Sequence, residues 1–174
     1  MSLAQFDSPF DQWVQQKETA IPTAVRQGVN LFMGKAQCGT CHFPPTFSGL
    51  VPPHYQESES EVLGILTNEN FEEPILDDDL GRKNNGIIKD HFDFFERSFK
   101  TVSIRNVALT APYMHNGSIQ SLEKVIEFYD LGGGGGMGLS VAHQTLPVEA
   151  LELSAEEKQA LVAFMKALTD AAYQ

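Results

Sequence analysis

With 174 residues, the chain has room for one domain of ordinary size or two very small ones. Its 42% of apolar residues, with 14 glycines besides, is ordinary globular composition and excludes a disordered or fibrous chain. Twelve basic against 23 acidic residues leave a net charge of −11 with no Lys/Arg cluster, so a nucleic-acid backbone would be repelled and a basic partner attracted.

No apolar run approaches the roughly 18 residues that cross a bilayer. Met1-Ser2-Leu3-Ala4 has no basic stretch followed by an apolar one, so no signal peptide is expected. Met1-Ser2-Leu3 reads as a cloning remnant, and the chain as a piece of a longer protein.

The first predicted helix opens at Ser8-Pro9, a cap with proline at the first helical position, and carries Phe10, Trp13 and Val14 on one face. Thr23 is expected to cap a second helix whose Val25, Val29 and Phe32 share a face, with Gly28 permitting close helix–helix contact. From Phe43 to about Thr110 the periodicity fails. Pro44, Pro45, Pro52 and Pro53 forbid a continuous helix. Glu59 to Leu66 is expected to form a helical turn or two, and Asp77-Asp78-Asp79 with Gly81 is turn chemistry. Phe92, Phe94, Phe95 and Phe99 fit no period and read as a connection packed against something apolar. A stretch this long without regular structure calls for an organising ligand, such as a planar cofactor.

Helical pattern returns after Ser121, with Leu122, Val125, Ile126 and Tyr129 at i, i+3, i+4 and i+7. Gly132 to Gly136 is expected to end that helix in a flexible loop; no Lys-Ser/Thr follows it and no strand precedes it, which argues against a phosphate loop. Ser154-Ala155-Glu156-Glu157 is a capping box for a last helix that buries Leu161, Phe164, Met165 and Leu168.

Both cysteines of the chain fall in Cys38-Gly39-Thr40-Cys41-His42, the attachment signature of a c-type haem. Two thiols one helical turn apart can form thioethers with the two haem vinyl groups, and the next imidazole can take the iron. A thioredoxin-like redox pair calls for a βαβ context that the pattern lacks. A zinc site needs four ligands, and no second cysteine pair exists. The sixth iron position is open among Met33, Met114, Met137, Met165, His54, His91, His115, His143 and Tyr129. Met165 lies near a core stripe, Met137 follows the glycine run that could swing it toward a haem, and Tyr129 shares the apolar face of its helix.

The run Thr101-Val102-Ser103-Ile104-Arg105-Asn106-Val107-Ala108-Leu109-Thr110-Ala111-Pro112-Tyr113-Met114-His115-Asn116-Gly117-Ser118 resembles the C-terminal haem domain of the bacterial di-haem cytochrome c peroxidases, a family that includes MauG. Asp79-Leu80-Gly81-Arg82, the run-in Gly28 to Phe32, Leu122 to Gly134 and the final helix match in the same order, so the resemblance covers nearly the whole chain from Phe10. It implies a mainly α fold, a cytochrome c-like haem domain with long irregular loops over residues 23–174, after a lead-in at 1–22.

The resemblance also implies roles. Cys38 and Cys41 would anchor haem c and His42 would be its proximal ligand. Tyr129, seventeen residues after Pro112, stands where the family places an axial Met or, in MauG-like members, a Tyr. Main-chain carbonyls of Thr110 and Pro112 would help hold Ca2+, Arg105 would pair with a haem propionate, and His115 would join a hydrogen-bond network near the haem. The family carries two haems and reduces peroxide at the N-terminal one, whereas this chain has one attachment motif. Val102 and Ser103 stand where members often have proline, and Trp13 is not taken as the family's inter-haem tryptophan.

The expected function is thus the c-type haem redox domain of a di-haem peroxidase or MauG-like oxidoreductase, relaying electrons for hydrogen peroxide reduction and inactive alone. Its partners would be the N-terminal haem domain and a small, basic electron donor, and its location the periplasm. The alternatives are a stand-alone mono-haem electron carrier, which Met ligation would favour over Tyr, and an interaction domain that has lost its haem.

Overall fold

The structure, a computed structural model, describes residues 5–17, 20–87 and 92–173. Helix α1 (Pro9–Val14) starts at a capping box. The Ser8 hydroxyl accepts from the Asp11 amide, and the Asp11 carboxylate accepts from the Ser8 amide and hydroxyl. Helix α2 (Thr23–Met33) buries Val25, Gly28 and Phe32. Thr23 is its first helical residue rather than its cap: the flanking position is Pro22, whose carbonyl accepts from the Val25 and Arg26 amides. Proline's fixed φ sets up that entry without a side-chain cap.

Helices α3 (Leu122–Asp130) and α5 (Ala155–Lys166) begin at Ser121 and Ser154, whose hydroxyls accept from Lys124 and Glu157 amides. Leu161, Phe164, Met165 and Leu168 are all buried, as the periodicity requires. Asp130 ties the two helices together through Lys158 (2.6 Å) and the Leu153 amide (3.0 Å).

The main core lies where α2 crosses α5, with α1 and α3 against them. Phe10, Phe32, Phe47 and Phe164 meet there edge to face, with centroids 5.1–5.9 Å apart. A Cβ on Gly28 would stand 2.1 Å from the Ala160 carbonyl oxygen and 2.7 Å from the Phe164 Cβ, so only glycine permits this crossing. A second apolar cluster gathers Ile65, Leu66, Ile119 and Phe128, with Tyr113, Met114, Tyr129, Met137 and Leu139 around them.

Three further expectations are corrected by the structure. Glu59 to Leu66 is not helical: Ser60–Val62 is a strand, β1, paired antiparallel with β2 (Ser98–Lys100), Glu61 opposite Phe99. Strand pairing lets Val62 point into the interior at 1% exposure while its neighbours stay half-buried. The glycine run is not a free loop but holds a short helical turn, α4 (Gly133–Gly136). Its glycines are there for close approach: Cβ atoms on Gly132 and Gly134 would lie 2.4 Å from the Val148 and 2.5 Å from the Gly64 carbonyl oxygens. Gln144 bonds both the Gly135 amide and the Gly132 carbonyl, so Met137 follows an anchored turn.

The phenylalanine cluster also differs. Phe92 and Phe94 are exposed and stack on one another at 5.6 Å, Phe95 lies under the Arg82 guanidinium, and Phe99 stacks on His115 at 3.6 Å. The Asp-rich turn is as expected, with the Asp79 and Gly81 amides donating to the Asp77 and Asp79 carboxylates.

Gly28→Ala should force α2 and α5 apart and cost about 1–3 kcal/mol of stability. Urea unfolding of the two proteins checks this; an unchanged midpoint would mean that the helices do not cross at this point.

Candidate functional site

Helix α2 ends at Gly34, and Gln37 in the left-handed region (φ +56°) turns the chain into a single 3-10 turn, Cys38–Thr40. The His42 amide closes on the Cys38 carbonyl (3.0 Å). The turn therefore holds both thiols and the imidazole as one rigid unit, and both cysteines are free. Burial pushes the Cys38 thiol up to about 12, with Cys41 adding to the shift. Burial likewise lifts Cys41 to about 11; the Thr40 hydroxyl opposes this and Glu61 and Glu59 reinforce it.

The His42 Nδ1 lies 3.0 Å from the Phe47 carbonyl oxygen. A carbonyl only accepts, so Nδ1 carries the proton and Nε2 keeps a lone pair. Burial lowers the imidazole's pKa, against the Phe47 and Val102 main chain, which favours this neutral form. Nε2 makes no hydrogen bond among the described residues. This is the arrangement in which a metal-ligating histidine is held by its other nitrogen.

Tyr129 stands in the second apolar cluster on α3. Burial raises its hydroxyl's pKa, with Cys38, Cys41 and Glu61 adding to the shift. Its hydroxyl has no hydrogen-bond partner among the described residues. Met137 and Met114 belong to the same cluster. The other ligand candidates stand elsewhere: Met165 is buried in the main core, Met33 is 51% exposed, and His54 and His143 are exposed. His115 is held by Asp77 (3.3 Å) and Phe99, and His91 lies outside the described residues.

Arg105 grips a carboxylate, but it is that of Asp11 rather than one left free for a propionate. Nη1 and Nη2 reach the two Asp11 oxygens at 2.5 and 2.7 Å, and Nε and Nη2 donate to the Pro45 carbonyl at 3.1 and 2.9 Å. Both side chains are buried. Burial would raise the Asp11 carboxyl, but Arg105 and Ser8 outweigh it and hold it below its usual value. The carbonyls of Thr110 and Pro112 lie on an exposed stretch and accept no main-chain hydrogen bond among the described residues. Trp13 packs beside Phe10 at the edge of the main core.

Sequence reasoning missed four participants. Phe47 matters through its carbonyl, which leaves no mark in residue type. Glu59 and Glu61 place carboxylate oxygens and the Cys41 sulfur within 4.8 Å of one another. Their i, i+2 spacing would have shown that they share a face, had a strand been expected there. Asp11 and Arg105 are 94 positions apart, beyond any local pattern.

A mostly helical domain that presents two thiols and a neutral imidazole on one turn is a domain of the c-type cytochrome class. The comparisons narrow this. The chain is 34% identical over 173 residues to the cytochrome-c peroxidase IdrP1 of Pseudomonas sp. (strain SCT), covering 92% of this chain and 44% of that protein. It is 31% identical to the methylamine utilization protein MauG of Methylorubrum extorquens, over 96% of this chain and 40% of that protein. A crystal structure of a MauG-like protein associated with microbial copper homeostasis superimposes with a TM-score of 0.71 at 29% identity, over 96% of this chain and 49% of that one. The diheme peroxidase BthA from Burkholderia thailandensis shares the fold, with a TM-score of 0.66 at 19% identity. No protein-family model matches the chain. The chain belongs to the di-haem cytochrome c peroxidase and MauG family. It spans less than half the length of the curated relatives it matches.

In chain made without haem, both thiols should resist alkylation at pH 8 compared with unfolded chain. Cys41 should become reactive near pH 11 and Cys38 later, as followed by mass spectrometry. Because folding raises both thiols above the ordinary 9.0, their contribution to stability is intact below pH 9 and lost as pH climbs through 11 to 12. Equal reactivity of native and unfolded chain would contradict this burial.

Proposed function

We propose that this chain is one half of a two-haem oxidoreductase and carries a single haem c that relays electrons, while hydrogen peroxide is reduced at the other half. The observation that carries the reading is the His42 imidazole, locked through Nδ1 with Nε2 unengaged, on the same turn as two free thiols. The donor set fits haem c, since two thiols and a neutral imidazole are what its attachment consumes. When bound, haem c supplies a one-electron couple whose potential follows its axial ligands.

The residues then have distinct tasks. Cys38 and Cys41 would hold haem c as thioethers, each S–H adding across a vinyl group so that sulfur bonds one carbon and the hydrogen goes to the other, with no oxidant needed. His42 Nε2 would ligate the iron. Tyr129 is our choice for a second iron ligand, supported by its unpartnered hydroxyl in the apolar cluster of α3. Burial keeps that phenol protonated until a positive charge stands against it, and such a charge favours the phenolate. Met137, in the same cluster, is the second reading and would make the domain a simpler electron carrier. Arg105 has one N–H left beyond its bonds to Asp11 and Pro45, so a propionate would share it rather than own it. The exposed Thr110 and Pro112 carbonyls suit a hard cation such as Ca2+, completed by ligands from elsewhere.

The excess of acidic residues supports a basic electron-donor protein as partner. No helix among the described residues is long and apolar enough to cross a membrane. We place the protein in the periplasm, with residues 1–22 as the lead-in from the other half and 23–174 as the haem domain.

Tyr129→Phe should change the ferric absorption and EPR spectra of the haem-loaded chain, whereas Met137→Leu should leave them as they are. The reverse pattern would transfer the axial role to Met137. The loaded chain, given a reduced donor and hydrogen peroxide, should turn over slowly if at all. Rapid turnover would show that peroxide is reduced at this haem and overturn the relay assignment.

A further inference from the structure

Three consecutive carbonyls just beyond the haem-attachment turn are each tied to the segment Ser103 to Arg105. Pro45 O accepts from Arg105 Nε and Nη2 (3.1 and 2.9 Å), Thr46 O from the Ser103 hydroxyl (2.6 Å), and Phe47 O from the Ile104 amide (3.1 Å). That last oxygen is the one that holds His42 Nδ1. The Arg105 guanidinium also lies 5.6 Å from the Phe47 ring centre and 4.5 Å from that of Phe6. Its charge is matched by Asp11, at the start of α1, in a buried bidentate pair.

The loop needs such holding. Phe47 sits at φ +49°, a left-handed conformation that disfavours a residue with a side chain. Its ring is locked among Phe10, Phe32 and Phe164, so the aromatic core fixes the side chain while the three-carbonyl stitch fixes the backbone. Freed from the stitch, the Phe47 peptide can relax out of the left-handed region and carry its carbonyl away from the imidazole.

We propose that Arg105, with Asp11 as its buried counter-charge, is a positioning residue for the axial histidine: it clamps the Pro45–Phe47 loop so that the Phe47 carbonyl stays on His42 Nδ1. The effect reaches the iron ligand without contact. A hydrogen bond from Nδ1–H to a carbonyl raises the basicity of Nε2 and favours the oxidised metal. Through Asp11, the clamp also joins α1, which precedes the attachment turn, to the orientation of that imidazole. The proposal rests on the haem reading given above.

The test uses the haem-loaded chain. The double variant Asp11→Asn/Arg105→Gln removes both buried charges together and so leaves neither unpaired. Because it conserves net charge, any change in potential is not a simple charge effect. Its midpoint potential should shift upward and its ferric EPR g values should change. Ser103→Ala, which cuts the Thr46 tether and the bond that the Ser103 hydroxyl accepts from the Arg105 amide (3.1 Å) but keeps the Arg105 side-chain clamp, should shift the potential in the same direction by less. A folded, haem-loaded double variant with wild-type potential and g values would overturn the proposal. Should the double variant not fold, Ser103→Ala decides, and an unchanged potential there overturns it. A wild-type chain that takes up no haem would overturn the haem reading itself, and this inference with it; unchanged potentials in loaded chains overturn this inference alone.

Discussion

The hydrogen bond between His42 Nδ1 and the Phe47 carbonyl is the contact on which the site depends. It sets the tautomer, and the tautomer decides which nitrogen can accept a metal. Nearly every feature of the fold around it serves to keep its two ends in place. On the histidine side, α2 delivers the attachment turn, and the glycine-permitted crossing with α5 fixes α2. On the carbonyl side, the Ser103 to Arg105 segment and the aromatic core hold Phe47 in a conformation it would not choose alone.

The second apolar cluster joins Phe128 and Tyr129 of α3 to segments that lack regular structure: Ile65 and Leu66 after β1, Ile119 before α3, and Met137 after the glycine turn. The polar groups of these loops are paired with one another, near and far in sequence. Asp77 illustrates this, since its carboxylate accepts from the Asp79 amide and from Asn116, sits against His115, and is held below the usual carboxylate range: burial raises it, but Asn116, the Asp79 amide and His115 outweigh that. Such pairing leaves the apolar residues of the loops to pack in the second cluster.

Much of this was legible in residue types. Caps at Ser8, Ser121 and Ser154, the apolar stripes of the last two long helices, and the need for glycine at position 28 follow from period and sterics, and they are where the structure puts them. The Cys38 to His42 turn could be read because its chemistry requires those residues at that spacing. Three-residue strands could not, because two residues on one face carry too little pattern to distinguish Ser60–Val62 from a helical turn. The glycine run misled for a different reason: glycine marks both freedom and close packing, and only the neighbouring carbonyls of Gly64 and Val148 show which applies. Arg105 displays the limit of chemistry without geometry. Its preference for a carboxylate was apparent, but Asp11 came from a helix nearly a hundred positions away.

On the reading of Cys38 to His42 as an attachment turn, one porphyrin is covalently joined to Cys38 and Cys41. Intact mass spectrometry of chain produced alongside a haem-attachment system, under denaturing conditions that strip any group held without a bond, tests it most directly. The expected mass is that of the polypeptide plus one haem, reverting to the polypeptide alone when both cysteines are replaced by alanine. A fully matured sample that weighs no more than its amino acids would contradict it.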